Sequence, residues 1–348
     1  MQKKIRAVLV GCGGMSGGWL DTVARMKDVE TVGLVDLKKN AARKRQKEYE
    51  LSDAVVGADL REVLRKTKPD MVYNCTVPEA HSPVALEAFR HGCHVLCEKP
   101  MASGMAEARK MNNAAQRSGT ILAVTQNRRY TKYVRSVAEF IASGVIGKVS
   151  VVNMDFYAAP HFTGFRKGME HPLLVDMAIH AFDMARFISS SDPSSVYCSE
   201  WNPAWSWYDH DACAAAIFEM TSDVVVNYRG SWCANGFDTT WQCEWRIIGE
   251  KGTIRWNGES EIKCERTSGK PVGNRVQKHA PVKAVRVPIS AAAKSKGGSH
   301  SSVIKEFIQC LRSGQKPETC GEDNIKSLAM VFGAIRSSKS GRNVSIRD

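Results

Sequence analysis

No apolar run in the chain reaches the ~18 residues that a membrane-crossing helix requires. No secretory leader is legible either. Met1-Gln2-Lys3-Lys4-Ile5-Arg6 leads into a short apolar run that ends at Gly11, and glycines stand where a small-residue cleavage motif would be. These absences argue against a membrane partner and make a soluble, cytoplasmic protein the expectation. Eleven cysteines are present, but no C-x-x-C pair is. An odd, scattered set without a leader reads as reduced thiols rather than a disulfide framework. Without paired ligand spacing, no metal site is expected. No internal repeat is present.

What the chain does have is an ordinary globular composition, 43% hydrophobic and 24% charged over 348 residues. At ~150 residues per domain, that length suggests two domains. The balance of 49 basic and 36 acidic residues gives a net charge of +13. The excess is diluted except in a basic stretch containing Lys263, Arg266, Lys270, Arg275, Lys278, Lys283, Arg286, Lys294 and Lys296. It reads as a solvated, lysine-rich excursion, and no nucleic-acid partner is inferred from it. A positive field would also suit a phosphate-bearing cofactor or substrate.

Up to residue 125, short apolar strands alternate with helical periodicity. Strands are expected at Ile5–Val10, 31–35, 55–56, 71–75, 94–97 and 121–124. Helices are expected at 16–27, 41–49, 60–66, 82–91 and 105–118. This alternation predicts a Rossmann-like, doubly wound parallel sheet, with ligands at the carboxyl ends of its strands. From 126 to 348 the pattern becomes that of an α+β domain with a large open, mainly antiparallel sheet. Its strands are expected at 148–157, 213–220, 224–231, 241–248 and 252–256, and its helices at 133–143, 172–188, 301–312 and 324–338. The terminal helix is allowed to pack back on the first domain.

After the first strand comes Gly11-Cys12-Gly13-Gly14-Met15-Ser16. It follows the G-x-G-x-x-G/A pattern, with serine at the third small position. The first glycine permits a tight turn, the second a close approach to a pyrophosphate, and the small third residue close helix–strand packing. The helix that follows offers free N–H groups and a positive dipole end. Asp36 ends the second strand, where an acid binds a ribose 2′-hydroxyl and repels a 2′-phosphate. That favours NAD, while Lys38 and Lys39 keep NADP open. A second reading of Asp36 is a helix N-cap.

A strand ends in Glu98-Lys99-Pro100, which lies over the cofactor cleft; the proline admits a cis peptide bond. Far along the chain, Asp176 and His180 stand four apart on an expected helix and so share a face. Alone, each of these residues has an ordinary structural reading.

Together they carry a resemblance. The chain resembles the Gfo/Idh/MocA oxidoreductases, the group of inositol dehydrogenases and glucose–fructose oxidoreductase. The likeness rests on the glycine loop, Asp36, T-V-P-E-A-H (76–81), E-K-P (98–100), Q-N-R-R-Y (126–130), D-M-A-I-H (176–180) and G-E-D-N-I-K-S-L (321–328). It implies an NAD(P)-dependent dehydrogenase that oxidises a secondary alcohol of a sugar, sugar derivative or inositol-like polyol. Lys99, Asp176 and His180 are then the catalytic set. The imidazole of His180 suits a general base near neutrality. Lys99 would donate to the substrate oxygen, and Asp176 would orient the substrate or the base; the lysine–histidine division stays open. Thr76, Val77, Pro78, His81, Glu98, Lys99 and Arg128 would border the cofactor with the glycine loop. Tyr157, His161, Phe165 and Arg166 would form substrate walls. Trp201, Trp205 and Trp207, near Tyr208 and His210, suit sugar faces, a core or a subunit interface equally. The resemblance also implies a homo-oligomer, a dimer or tetramer, through the second domain's sheet. Two other functions fit the same residues: an NAD-dependent glycosidase working by transient oxidation and elimination, and a non-catalytic NAD-sensing protein.

Overall fold

The structure, a computed structural model, describes residues 3–273 and 278–347. Arg275 of the basic stretch lies outside the described residues, as does the Lys278 side chain. The chain divides into two compact units. One runs through Asn127 and adds Gly298–Leu328; the other comprises Arg128–Gly297 and Ala329–Arg347. The second boundary lies far along the chain: Gly298–Leu328 belongs to the first unit.

In chain order the first unit holds β1 (Ile5–Val10), α1 (Gly14–Ala24), β2 (Val29–Val35), α2 (Lys39–Glu48), β3 (Val55–Gly57) and α3 (Leu60–Thr67). Then come β4 (Met71–Asn74), α4 (Pro78–Arg90), β5 (His94–Cys97), α5 (Met105–Ser118) and β6 (Leu122–Val124). The strands form one parallel sheet in the order β3-β2-β1-β4-β5-β6. Ala7-Val8-Leu9 and Met71-Val72-Tyr73 are buried, as continuous apolar strands covered on both faces must be. The order reverses between β1 and β4, where doubly wound sheets open a ligand crevice.

Two of the helix starts that differ from the sequence reading bear on the site. α1 begins at Gly14 rather than 16, directly on the turn. α4 begins at Pro78 rather than 82, because proline's fixed φ and missing N–H suit a first helical position.

The second unit holds a 3-10 turn running to Tyr130, α6 (Lys132–Ala142), β7 (Val149–Tyr157), a π-helical turn (Leu173–Ala178) and α7 (Ile179–Ser189). Next come β8 (Pro193–Trp201), β9 (Cys213–Met220), β10 (Val225–Ser231), β11 (Glu244–Gly249), β12 (Gly252–Trp256) and β13 (Ile262–Thr267). A small ribbon of β14 (Val272–Gly273) and β15 (Lys278–His279) precedes β16 (Val282–Val285) and α8 (Ala291–Ser295). α9 (His300–Ser313) lies in the first unit. α10 (Gly321–Ser340) starts in the first unit and ends in the second, ahead of β17 (Val344–Ser345).

Nine strands make one sheet, β16-β13-β12-β11-β7-β10-β9-β8-β17, in which β7 and β10 pair in parallel and the other neighbours antiparallel. The sheet's core face meets α7 through Phe182, whose ring stands edge-on to Phe218 at 4.8 Å and Tyr228 at 5.2 Å. β8, β13, β16 and β17 were not expected; they carry mixed, half-exposed residues instead of clean apolar runs. Among the described residues, no helix is long and apolar enough to cross a membrane.

Candidate functional site

The glycine turn separates its three glycines by physical role. Gly11 has φ +89°, and a Cβ there would stand 2.6 Å from the Cys75 carbonyl oxygen. Both facts demand glycine. At Gly13 and Gly14 a Cβ would meet nothing within 4 Å, so the protein's own packing does not require them to be bare. The space over them is open, directly before α1. The N-cap of α1 is Gly13, which supplies no side-chain cap, so the first N–H groups are left for an anion. A pyrophosphate fits this cradle.

Ser16 is more than a small residue. Its buried hydroxyl donates to the Gly13 carbonyl at 2.6 Å. Cys12 turns its N–H to Asp36 Oδ2 at 2.8 Å, and the Lys38 N–H donates to Asp36 Oδ1 at 2.8 Å. Burial, and then the nearby Asp36, push the Cys12 thiol up to about 12, which keeps it a neutral wall and not a nucleophile. Lys38 occupies the N-cap of α2, which overturns the cap reading of Asp36. Each Asp36 oxygen keeps lone-pair capacity beyond its one backbone donor, as a ribose diol requires. Met15 and Val77 are exposed on the loops after β1 and β4.

Behind Thr76–His81, Asn74 organises the end of β4. It accepts from the Thr76 hydroxyl at 2.7 Å and donates to the His81 carbonyl at 3.0 Å. The His81 ring is fully buried, with Nδ1 2.8 Å from the Pro100 carbonyl and Nε2 3.1 Å from the Thr76 carbonyl. Burial lowers its pKa despite those carbonyls. The ring thus ties the β4 loop to the segment after β5, a positioning role that the sequence did not reveal. Pro78 starts α4 at a position where a backbone N–H would have no intrahelical partner, so its lack of one costs nothing.

The Lys99–Pro100 peptide is cis. Glu98 is buried and accepts from Trp19 Nε1 at 2.7 Å and from the Lys99 N–H at 3.2 Å; His300 Nε2 stands 3.3 Å away. Burial alone would raise the Glu98 carboxyl, but the His300 and Trp19 donors and the Lys99 charge bring it below the ordinary carboxylate range. Its visible contacts are therefore within the protein. Trp19 and His300 escaped the sequence reading: a tryptophan in an apolar helix looks like core, and a histidine some 200 positions later carries no local signal.

In the second unit, Asp176 and His180 do not share a plain α-helix. Asp176 lies in the π turn and His180 on α7, so the i, i+4 argument does not carry across the junction. The Asp176 carboxylate accepts from Arg166 Nε at 2.7 Å, and the Arg166 guanidinium lies over Phe162 at 5.2 Å and Phe165 at 4.8 Å. His180 is buried at 7% exposure. His161 stacks on Trp207, centroids 3.6 Å apart at 10°. Trp207 Nε1 and the Tyr208 hydroxyl both donate to the Pro160 carbonyl, at 3.1 and 2.5 Å. Trp201 and Trp205 are exposed.

Tyr157 is fastened by backbone bonds to Thr239. Its phenol is raised by burial and then by Asp155. Arg128 donates to the Trp241 carbonyl and lies 3.4 Å from Met177 Sδ, with burial pushing it down to about 10. The next arginine of the same motif is structural: Arg129 Nε pairs with buried Asp183 at 2.9 Å.

Two stretches of the chain match domains of one known family. Residues 5–126 match a family model described as oxidoreductase family, NAD-binding Rossmann fold, and residues 134–255 match the GFO/IDH/MocA C-terminal domain. D-apiose dehydrogenase of Paraburkholderia graminis is 26% identical, covering 99% of this chain and 90% of that protein. Myo-inositol 2-dehydrogenase of Thermotoga maritima is 22% identical, covering 99% of both. The WlbA dehydrogenase of Bordetella pertussis, solved with NADH and UDP-GlcNAcA, superposes with TM-score 0.83 at 21% identity, covering 100% of this chain and 99% of that one. Aldose–aldose oxidoreductase of Caulobacter crescentus, solved with glycerol, superposes with TM-score 0.78 at 19% identity, covering 99% and 100%. These structures share the fold.

Proposed function

Because the chain belongs to the Gfo/Idh/MocA oxidoreductase family, with its NAD-binding Rossmann domain, we propose that it oxidises a secondary alcohol of a sugar, sugar derivative or cyclic polyol, with NAD preferred over NADP. The observation that carries this reading is the open cradle at Gly13 and Gly14, after β1 of the same sheet whose β5 leads into Lys99. The Asp36 carboxylate, aimed by Cys12 and Lys38, supports the choice of NAD by its charge. The dehydrogenase and reductase names of the relatives do not favour the glycosidase or the non-catalytic sensor.

Bound nicotinamide supplies a hydride acceptor. The chain's residues do the rest. The first amides of α1 hold the pyrophosphate, and Asp36 accepts the ribose hydroxyls. Lys99 donates to the substrate oxygen and stabilises the negative charge that builds as its proton leaves. A ring nitrogen of His180 takes that proton. Asp176, held by Arg166 at 2.7 Å, accepts from a neighbouring substrate hydroxyl. Tyr157, His161 and Arg166 wall the substrate, and Arg128 and His81 support the cofactor region.

A panel of polyols, aldoses and glycosides with NAD and NADP tests the proposal, following reduced cofactor and identifying product. A ketone product with stoichiometric NADH is the expected result. Cleavage without net NADH would refute it. The same reading includes a dimer or tetramer formed through the second unit's sheet, where Tyr197, Trp201 and Ile217 are exposed. Sedimentation velocity showing only monomer would overturn that part.

A further inference from the structure

Arg45, on α2, reaches the glycine turn from a position that no motif marks. Its Nη2 donates to the Gly13 carbonyl at 2.8 Å, and its Nε donates to Ser16 Oγ at 3.0 Å. Ser16 Oγ in turn donates to that same carbonyl. The side chain is mostly covered, at 15% exposure. One guanidinium therefore fastens the first and last residues of the segment whose amides face the cradle.

We propose that Arg45 is a positioning residue for the cofactor's pyrophosphate, acting through the Gly13–Ser16 turn and not by direct contact. The Gly13 carbonyl is a partial negative charge at the mouth of an anion site. Two donors, one of them cationic, draw that charge away from the phosphates. The guanidinium is always ionised, so it adds a fixed positive field where the α1 dipole already favours an anion. Its fork makes both contacts at once, which a lysine ammonium on a flexible stem does not reproduce. Glu48 takes the third arm, Nη1, at 2.7 Å, but is itself half-exposed, so solvent weakens its claim on the charge.

The role is separable from holding α1 against α2. Tyr49, one turn on, makes that latch independently: its hydroxyl donates to the Gly17 carbonyl and lies 2.9 Å from Asp21 Oδ1. Removing the guanidinium thus leaves the helix pair joined. The inference rests on the cofactor site alone and does not depend on which alcohol is oxidised.

The test is ligand binding by the full chain. NADH is titrated by fluorescence, and ADP and adenosine by competition, against wild type, Arg45→Ala, Arg45→Gln and Arg45→Lys, with Tyr49→Phe as control. Arg45→Ala is expected to weaken NADH and ADP about tenfold or more, the size of one charge-assisted hydrogen bond. Adenosine, which has no phosphate, should change less than about twofold. Arg45→Lys should recover part of the loss, added salt should shrink the gap, and the melting temperature without ligand should stay near wild type. Unchanged NADH binding in Arg45→Ala would overturn the proposal. So would an equal loss for adenosine and ADP, which would mark a purely structural role. If Arg45→Ala does not fold, Arg45→Gln keeps donors while removing the charge, and the same phosphate-dependent pattern decides.

Discussion

Trp19 Nε1 donates to Glu98 Oε1 at 2.7 Å, so the helix that opens the cofactor cradle is bonded to the motif that carries Lys99. The carboxylate is buried and is shared with the Lys99 N–H and with His300. Replacing Glu98 with Ala would strand a buried indole donor, and a cost of about 3 kcal/mol in urea unfolding is expected. The carboxyl sits below its ordinary range in the folded chain. It therefore contributes stability that is complete above the unfolded carboxylate pKa and is lost as pH falls through the folded one. The stability gap between wild type and Glu98→Gln should hold constant from neutral pH down to about 4.5 and narrow below it. A gap that widened in acid would contradict the assignment.

The glycine turn makes a paired prediction. Gly11→Ala forces a Cβ against the Cys75 carbonyl at a positive φ, and should cost about 2–4 kcal/mol of stability. Gly13→Ala meets no protein atom, so its melting temperature should match wild type, while its methyl takes space meant for the pyrophosphate. NADH affinity should fall about tenfold or more. If Gly13→Ala binds NADH normally, the cradle is not where the phosphates lie.

Asp36 sets the cofactor balance by charge. Asp36→Asn keeps an acceptor oxygen for Cys12 or Lys38 but removes the repulsion of a 2′-phosphate. NAD affinity should weaken about tenfold and NADP affinity should rise, so the ratio of dissociation constants narrows or inverts. An unchanged ratio would mean that Lys38 and Lys39, and not Asp36, govern the ribose.

Much of this site was legible because its signals are local. Gly11, Gly13, Ser16 and Asp36 follow from one βαβ unit, whose apolar strands and short turns force the fingerprint into place. Lys99 was singled out by the resemblance that E-K-P carries, since its place after a strand alone leaves an ordinary surface charge open. What escaped is held by distant partners. Arg45, Trp19 and His300 act through contacts that no sequence spacing encodes, and each has an ordinary surface or core composition around it. The π turn at 173–178 was hidden because helix-forming residues read as an α-helix whichever hydrogen-bond step they adopt. The edge strand β16 and its neighbour β13 were missed for another reason. Their exposed basic residues satisfy a sheet rim, yet they look like a loop to any argument based on apolar alternation.

The chemical assignment predicts a split between binding and turnover. Lys99→Met removes the ammonium that would stabilise the alkoxide, while the long side chain keeps much of the original volume. His180→Ala removes the proposed proton acceptor. His180 is 7% exposed, so the alanine leaves a cavity and some stability is lost; Lys99→Met should cost little. Loss of a general base or of charge stabilisation typically removes about 10²–10⁴ in rate, so kcat should fall by at least about a hundredfold in both variants. NADH titrations should stay near wild type, because neither residue touches the glycine turn or Asp36 in this assignment. Lys99→Arg separates two contributions: it restores the charge but not the compact point donor, and should remain well below wild type. Near-normal kcat in Lys99→Met or His180→Ala on the best alcohol of the panel would reject the catalytic set, and a matching loss of NADH binding would move the residue from chemistry to cofactor anchoring.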